Sequence, residues 1–140
     1  MKPFARRLAT ATTAFALTAS GLALSAGPAS AATSCYAQSC QGLDPATTVC
    51  QNDARTVLWD GWLNVELRYS PSCRAAWARL GSGAAPTDLK IQNTMGVAFY
   101  AHYAGNGVSA WTKMVNDKDL KAWACGYKNN SDQFSCTSQY

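Results

Sequence analysis

The sequence predicts an all-β protein, a small antiparallel sandwich or barrel that is stapled by disulfide bonds. Apolar and polar residues alternate in several short stretches, which is the period of a strand with one buried face. Turn signals such as Asp60-Gly61 and Gly105-Asn106-Gly107 separate these stretches, as is typical of sandwiches and barrels. The chain also contains 6 cysteines, an even number that favours a disulfide framework.

The first 31 residues are predicted to be a secretory signal peptide. Lys2, Arg6 and Arg7 form a positive start, and an apolar run follows from Ala9 to Leu24. Ala29-Ser30-Ala31 offers small residues to a signal peptidase, so we expect cleavage after Ala31 or one residue later. The run is too short and too rich in Ala and Thr to span a hydrocarbon core of about 30 Å. We therefore expect a secreted, extracellular protein without stable membrane insertion.

Residues 32–140 are expected to form a single disulfide-rich domain and a monomer. A domain of this size buries only a modest core. The chain has 12 Lys and Arg against 8 Asp and Glu, but the signal peptide carries part of this positive charge. The rest is close to neutral, so nucleic acid is not expected as a partner.

The segment before the first strand is expected to be mostly irregular. Asp44-Pro45 predicts a short helical turn, because Asp caps helices well and Pro suits the first helical position. The predicted strands then follow in chain order: 56–60, 62–69, 74–80, 88–93, 97–103, 108–115 and 120–127, with a closing segment at 134–140.

The central hairpin is predicted from residues 62–80. Leu63, Val65, Leu67 and Tyr69 fall at every second position, which indicates one dry face. Asp60-Gly61 predicts a two-residue turn before this strand. Residues 74–80 also suit a helix by propensity, but a strand is favoured because the Pro71 turn invites a short return.

All cysteines are expected to form disulfides: Cys35, Cys40, Cys50, Cys73, Cys125 and Cys136. The favoured pairs are Cys125–Cys136, Cys50–Cys73 and Cys35–Cys40. Sequence alone permits 15 pairings, and the rival set of Cys35–Cys50 with Cys40–Cys73 stays open. The spacings lack repeated Cys-x-x-Cys knuckles, so neither a metal site nor another cofactor is predicted.

Three motifs give the chain a family resemblance. They are Cys40-Gln41-Gly42-Leu43-Asp44-Pro45, Val65-Glu66-Leu67-Arg68-Tyr69-Ser70 followed by Cys73-Arg74-Ala75-Ala76-Trp77-Ala78-Arg79, and a tail from Thr112 to Gly126. The chain thereby resembles the YjfA-type domain of unknown function, found in small exported proteins of Gram-positive bacteria, especially actinobacteria. Some members of that family carry the domain behind a helix-turn-helix region and a membrane span, and this chain shows no helix-turn-helix segment. The resemblance implies no catalytic residues.

No catalytic constellation is apparent in the sequence, so a non-enzyme is expected. His102 is the only histidine, and no Gly-x-Ser-x-Gly elbow accompanies it. Asp117 and Asp119 alternate too briefly for a calcium loop.

The candidate ligand surface consists of Trp62, Glu66, Arg68, Tyr100 and His102. Glu66 and Arg68 share one strand face, where a cross-strand Glu–Arg pair is favoured over a clamp for an anionic ligand. The chain has 5 Trp and 6 Tyr, more large rings than a small core needs. Some are expected to form an exposed strip that stacks on sugar rings or anchors a protein partner.

Two functions follow from this surface. The first is a secreted, non-catalytic binding module that recognises cell-wall polymer or another exported protein. The alternative is a small secreted inhibitor of a protease or other hydrolase, which would present the loop at 81–88 or the loop at 128–133 to its target.

Overall fold

Two antiparallel sheets with a shared core make up most of the described protein, which confirms the predicted all-β fold. The computed structural model describes residues 31–81, 87–105, 107–129 and 131–140. The predicted signal peptide therefore lies almost wholly outside the described residues. The described residues belong to one compact unit, Ala31–Tyr140. Within the described ranges, no helix is both long enough and apolar enough to cross a membrane.

The elements follow the predicted order closely. Short 3₁₀ helices occupy Ala37–Cys40, Pro45–Thr47 and Val49–Asn52. The strands are β1 (Arg55–Asp60), β2 (Val65–Ser70), β3 (Ala75–Leu80), β4 (Thr87–Asn93), β5 (Ala98–Tyr103), β6 (Ala110–Trp111), β7 (Val115–Asn116), β8 (Ala122–Lys128) and β9 (Phe134–Cys136).

Each sheet is antiparallel throughout. In the first sheet, β2 lies between β1 and β3, and both β6 and β7 pair with the other edge of β3. In the second sheet the order is β5-β4-β8-β9. The outermost strand β1 carries an irregularity, because its register against β2 shifts between Thr56 and Leu58.

The main core lies between the two sheets. Val65 and Leu67 of β2 belong to the same buried cluster as Leu89 and Ile91 of β4, and all four are fully buried. The alternation seen in the sequence therefore reports the inward face correctly. The two sheets approach each other closely at Gly126 of β8, where an added Cβ would lie 2.7 Å from a Val65 methyl carbon.

The turn between β1 and β2 is longer than the two residues predicted from Asp60-Gly61. It spans residues 61–64, so Trp62 lies in the turn and β2 begins at Val65. Asn64 takes a positive φ of 56°, a conformation that asparagine tolerates better than most residues. The Asp60 carboxylate accepts a hydrogen bond from the Leu63 N–H at 3.1 Å. These two features stabilise the wider turn.

The extended segment predicted at 108–115 is interrupted. Within this part of the chain, the short strands β6 and β7 pair with β3 at opposite ends of that strand. Between them the chain turns to the N-terminal segment, where the Met114 N–H donates to the Leu43 carbonyl at 2.9 Å. The Gly42 N–H donates to the Met114 carbonyl at the same distance. Because Met114 pairs with Gly42 and Leu43 of the N-terminal segment, the predicted strand is divided into β6 and β7.

A second, smaller core lies on the outer face of the first sheet. The N-terminal segment covers that face and buries Cys40, Cys50 and Cys73 against Trp77 and Met114. The disulfides are Cys35–Cys40, Cys50–Cys73 and Cys125–Cys136, which is the favoured set from the sequence. Cys50–Cys73 ties the irregular segment to the β2–β3 turn. The expected Asp44 cap is also present, since its carboxylate accepts from the Ala46 N–H at 2.9 Å.

Candidate binding sites

An open cleft lies on the outer face of the first sheet, beside the second core. Its volume is about 370 Å³, which is within the usual range of small-molecule sites. The residues that define it are Arg68, Trp77, Arg79 and Trp111 from the sheet, with Pro45 and Gln51 from the N-terminal segment. We call it the arginine cleft.

Strand register brings the residues of the arginine cleft together. Glu66 and Arg68 alternate with buried residues along β2, so they point away from the main core. On the neighbouring β3, Arg79 pairs with Glu66 and Trp77 pairs with Arg68. Trp111 of β6 pairs in turn with Arg79. Three strands thus present two guanidinium groups and two indole rings to one region.

Glu66 forms hydrogen bonds to neighbouring side chains at one side of this region. Its Oε2 accepts hydrogen bonds from Arg79 Nε at 3.1 Å and from Arg79 Nη2 at 2.7 Å. It also accepts from Thr56 Oγ1 at 2.6 Å. The cross-strand Glu–Arg pair expected from the sequence is therefore present. Because the Glu66 side chain is only 17% exposed, this carboxylate is committed to Arg79 and Thr56.

Arg68 is held differently from Arg79. Its Nη2 donates to the Ala54 carbonyl at 2.8 Å, and its Nη1 donates to Thr56 Oγ1 at 3.0 Å. Its Nε is buried without a hydrogen-bond partner in the described part of the chain. Burial, followed by the positive charge of Arg79, lowers the pKa of the Arg68 guanidinium, while Glu66 acts in the opposite direction. Arg68 is thus a positioned cation to which no carboxylate hydrogen-bonds within the described ranges.

Both indole rings line the arginine cleft, and they differ in exposure. Trp77 is 4% exposed and packs into the second core. Trp111 is 39% exposed, and its Nε1 donates to Asp44 Oδ1 at 2.9 Å. Gln51 Nε2 donates to the Ala46 carbonyl at 3.1 Å, which holds the Gln51 side chain. The cleft is therefore preformed by contacts within the protein.

A second candidate surface is the outer face of the second sheet. The strand register aligns the outward side chains of this sheet in rows across the strands. One row contains Tyr100, Lys90, Cys125 and Cys136, and the next row contains His102, Asp88, Tyr127 and Phe134. Tyr100 is 66% exposed and Phe134 is 59% exposed. We call this surface the aromatic face. It contains Tyr100 and His102 of the predicted ligand surface but not Trp62, so it includes only part of the exposed strip expected from the sequence.

Polar contacts order the aromatic face. His102 Nδ1 lies 2.6 Å from Asp88 Oδ1, and the Lys90 ammonium lies 5.9 Å from the centre of the Tyr100 ring. A shallow concavity of about 320 Å³ is lined by Tyr100, His102 and Asp88. Rings and hydrogen-bonding groups therefore stand side by side on one flat surface.

A stacked ring pair occupies the other side of the aromatic face. The ring centres of Tyr127 and Phe134 lie 5.6 Å apart, with 20° between their planes. The Cys125–Cys136 disulfide joins the same two strands one row away. This cross-link holds β9 against β8, so the position of Phe134 is fixed by the covalent framework.

Asp117 is the most perturbed acid in the described residues. Its side chain is buried, and its Oδ1 has no hydrogen-bond partner in the described ranges. Burial raises the pKa of the Asp117 carboxyl to about 7, although the charges of Arg74 and Lys121 act to lower it. Asp119 is exposed and pairs with Arg74 at 3.2 Å. Asp117 is therefore a buried acid and Asp119 an exposed one, although the charge of Arg74 acts on both.

Four sulfur atoms form a cluster beneath the N-terminal segment. The Sγ atoms of Cys35, Cys40, Cys50 and Cys73 all lie within 4.8 Å of one another. A metal would need them as thiolates, whereas here they form two disulfides. The cluster is therefore described as a covalent cross-link.

Comparison with known proteins gives a family but no activity. The family described as "Protein of unknown function (DUF2690)" matches residues 38–125. The chain belongs to the DUF2690 family. No curated protein and no solved structure matches the chain. The DUF2690 match includes every residue that defines the arginine cleft, whereas Phe134 of the aromatic face lies beyond it.

The five predicted surface residues of this DUF2690 protein lie in three places. Trp62 is in the β1–β2 turn and is 59% exposed. Glu66 and Arg68 lie at the arginine cleft, while Tyr100 and His102 lie on the aromatic face. The loops expected of an inhibitor include residues 82–86 and 130, which lie outside the described residues.

Sequence reasoning did not assign Gln51, Trp111 or Phe134 to any site. Gln51 and Trp111 lie far apart along the chain although both line the arginine cleft, and Phe134 reaches Tyr127 across the β8–β9 pairing, which no short motif marks. The one available signal was the cysteine pattern. Cys50 adjoins Gln51 and Cys136 follows Phe134 closely, so the disulfide pairs indicate which segments come together.

Proposed function

We propose that this protein is a secreted, non-catalytic binding module whose aromatic face stacks on the sugar rings of a cell-wall polymer. The expected signal peptide and the disulfides support an extracellular location, because disulfides persist in oxidising compartments. We also propose that the family is the YjfA-type group of exported proteins from Gram-positive bacteria.

The observation that carries the proposal is the pair of exposed rings on a flat, cross-linked sheet face. Tyr100 and Phe134 remain largely exposed although they are large and apolar. Exposed apolar surface of this kind usually marks an interaction site. Sugar rings have apolar C–H faces that pack against aromatic rings, and their hydroxyl groups need hydrogen-bond partners at the edges.

The spacing of the rings favours a polymer over a single sugar. Tyr100 and Tyr127 are separated by two strand spacings and one row, which corresponds to about 12 Å between Cα atoms. One sugar ring cannot contact both side chains at this separation. His102 and Asp88 lie between them and supply the polar contacts that hydroxyl groups require.

The experiment measures sedimentation of purified residues 32–140 with insoluble peptidoglycan, chitin and cellulose. We expect binding to at least one polymer, and we expect Tyr100→Ala and Phe134→Ala to weaken it about tenfold or more, as truncation of an interface anchor does. Trp59→Ala is the matched control, since Trp59 is 63% exposed but belongs to the first sheet.

Two results would count against this function. One is the absence of binding to all three polymers by the folded protein. The other is an equal loss of binding in Trp59→Ala, which would show that any exposed ring contributes and that the aromatic face has no special role.

A further inference from the structure

The arginine cleft is separate from the aromatic face, because the two lie on outer faces of different sheets. We propose that it is a binding site for a small carboxylic acid that also carries a ring. The ring would lie against Trp77 and Trp111, and the carboxylate would reach the guanidinium groups of Arg68 and Arg79.

The charge balance of the cleft selects a singly charged anion. Arg68 and Arg79 both line it, and among the described residues neither an Asp nor a Glu does. Glu66 neutralises one of these two charges from behind through Arg79. Asp44 does not line the cleft, although its carboxylate accepts hydrogen bonds from the Trp111 indole and the Ala46 N–H and keeps its charge. Arg68, Arg79 and Glu66 together carry about one positive charge, which suits a carboxylate better than a phosphate monoester of nearly twofold charge.

The unused hydrogen-bond donors of Arg68 also favour a carboxylate ligand. A guanidinium has five N–H donors, and the protein engages only one donor on each Nη of Arg68. A partly buried cation is normally paired with an anion, yet no carboxylate hydrogen-bonds to Arg68 among the described residues. A planar guanidinium also matches a carboxylate in a two-point arrangement.

The rest of the lining selects a ring. Trp77 offers a nearly buried indole, and Trp111 offers an indole whose orientation is fixed by Asp44. Gln51 and Ser109 also line the cleft and supply neutral polar groups at its rim. The volume of about 370 Å³ accommodates one ring with its carboxyl group. A carboxylate of this kind is found on aromatic acids and on sugar acids alike.

The test uses nuclear magnetic resonance on residues 32–140, following the indole N–H and arginine Nε–H signals. The probes are benzoate and indole-3-carboxylate as aromatic acids, and glucuronate and N-acetylmuramate as sugar acids. Benzamide serves as the uncharged analogue of benzoate, and inorganic phosphate as the competing anion. We expect one class of acid to shift the Trp77, Trp111 and Arg68 signals, with a dissociation constant on the order of 1 mM or below.

Two variants separate a binding role from a structural one. Arg68→Gln should weaken binding about tenfold or more, because a charge-assisted hydrogen bond is lost. Glu66→Gln should strengthen binding, because it removes the carboxylate behind Arg79, although it should lower stability. A purely structural Glu66 would not improve the affinity. Tyr100→Ala on the aromatic face should leave carboxylate binding unchanged.

Three outcomes would overturn the proposal. The first is no shift of these signals with any of the four acids at millimolar concentration. The second is benzamide binding as tightly as benzoate, which would show that the charge is irrelevant. The third is unchanged affinity in a folded Arg68→Gln protein.

Discussion

The Sγ atoms of Cys35 and Cys50 lie 3.4 Å apart although they belong to different disulfides. This distance allows the Cys35 sulfur, once it is released as a thiolate, to attack Cys50 Sγ. The two disulfides are therefore close enough to exchange when a free thiolate is present, which the rival pairing considered from the sequence also requires.

Replacement of Cys40 by Ser should set this exchange in motion. The freed Cys35 thiolate attacks Cys50 Sγ, the Cys50–Cys73 bond breaks, and Cys73 leaves as a thiolate. We expect a mixture in which either Cys35 or Cys73 is the free thiol, with exchange that becomes faster as the pH rises toward the thiol pKa. Alkylation followed by peptide mass spectrometry identifies the free thiol.

The control for this exchange is Cys136→Ser in the second sheet. It should leave Cys125 as the single free thiol at every pH, since the sulfur cluster does not include it. Finding Cys35 alone in the free state in Cys40→Ser, even at alkaline pH, would contradict the prediction.

Asp117 should make the protein less stable as the pH rises from about 4 to about 7. Its pKa is raised from 3.8 to about 7 in the folded protein, so the unfolded chain loses this proton at a lower pH than the folded chain. Between these values the unfolding free energy falls with pH by at most about 1.4 kcal/mol per unit. Above that window the contribution is constant.

The measurement is urea unfolding of the wild type and Asp117→Asn across that pH range. The difference in unfolding free energy between the two proteins should grow in favour of the variant as the pH increases. Asp53 contributes in the opposite sense. Burial tends to raise its pKa, but hydrogen bonds from Ser70 and Ser72 outweigh burial and lower it. A constant difference between the two proteins would mean that Asp117 is not buried as described.

Gly126→Ala should destabilise the protein by about 1–3 kcal/mol, the usual cost of an overpacked core. The added Cβ would lie 2.7 Å from Val65 Cγ2 and 3.2 Å from Leu63, between two sheets that cannot separate without losing core contacts. Thermal unfolding measures the change.

Two further variants test whether the effect of Gly126→Ala comes from a direct clash with Val65. Gly61→Ala places a Cβ 3.3 Å from the ring of Trp59, which is exposed and held by a hydrogen bond to Asn64, so a smaller effect than that of Gly126→Ala is expected. Val65→Ala combined with Gly126→Ala should cost less than the sum of the single changes, since the clash is shared. Additive effects would argue against a direct contact.

Glu66→Gln should lower the unfolding free energy by about 1 kcal/mol, as expected for a partly exposed ion pair with hydrogen bonds. Arg79 loses its partner, and the neighbouring Arg68 then repels it without compensation. Urea midpoints at low and high salt measure the effect, which should shrink as salt screens the repulsion. A loss that does not change with salt would show that packing, and not charge, is responsible.

Strand alternation predicted the inward faces well because burial imposes a period of two. Val65 and Leu67 are buried and Tyr100 is exposed, as their positions in the sequence required. Trp62 was assigned to a strand because its neighbours alternate, but the positive φ of Asn64 widens the turn. The length of this turn depends on local hydrogen bonds, which the periodicity of the sequence does not predict.

Only part of the arginine cleft could be predicted from the sequence. Glu66 and Arg68 were recognised as a polar strand face, since they lie two residues apart. Trp111 and Gln51 reach the same place through the β3–β6 pairing and the Cys50–Cys73 link. Long-range pairing of this kind has no signature in a short stretch of sequence, so the cleft emerged only from the fold.

The irregularity in β1 has a consequence for how the protein behaves at high concentration. A straight outermost strand offers its free N–H and C=O groups to other molecules, which is a common route to aggregation. Here the register shift between Thr56 and Leu58 disturbs the regular spacing of those groups, as bulges do. An incoming strand cannot continue the ladder across this point, so growth of fibres from the β1 edge is disfavoured.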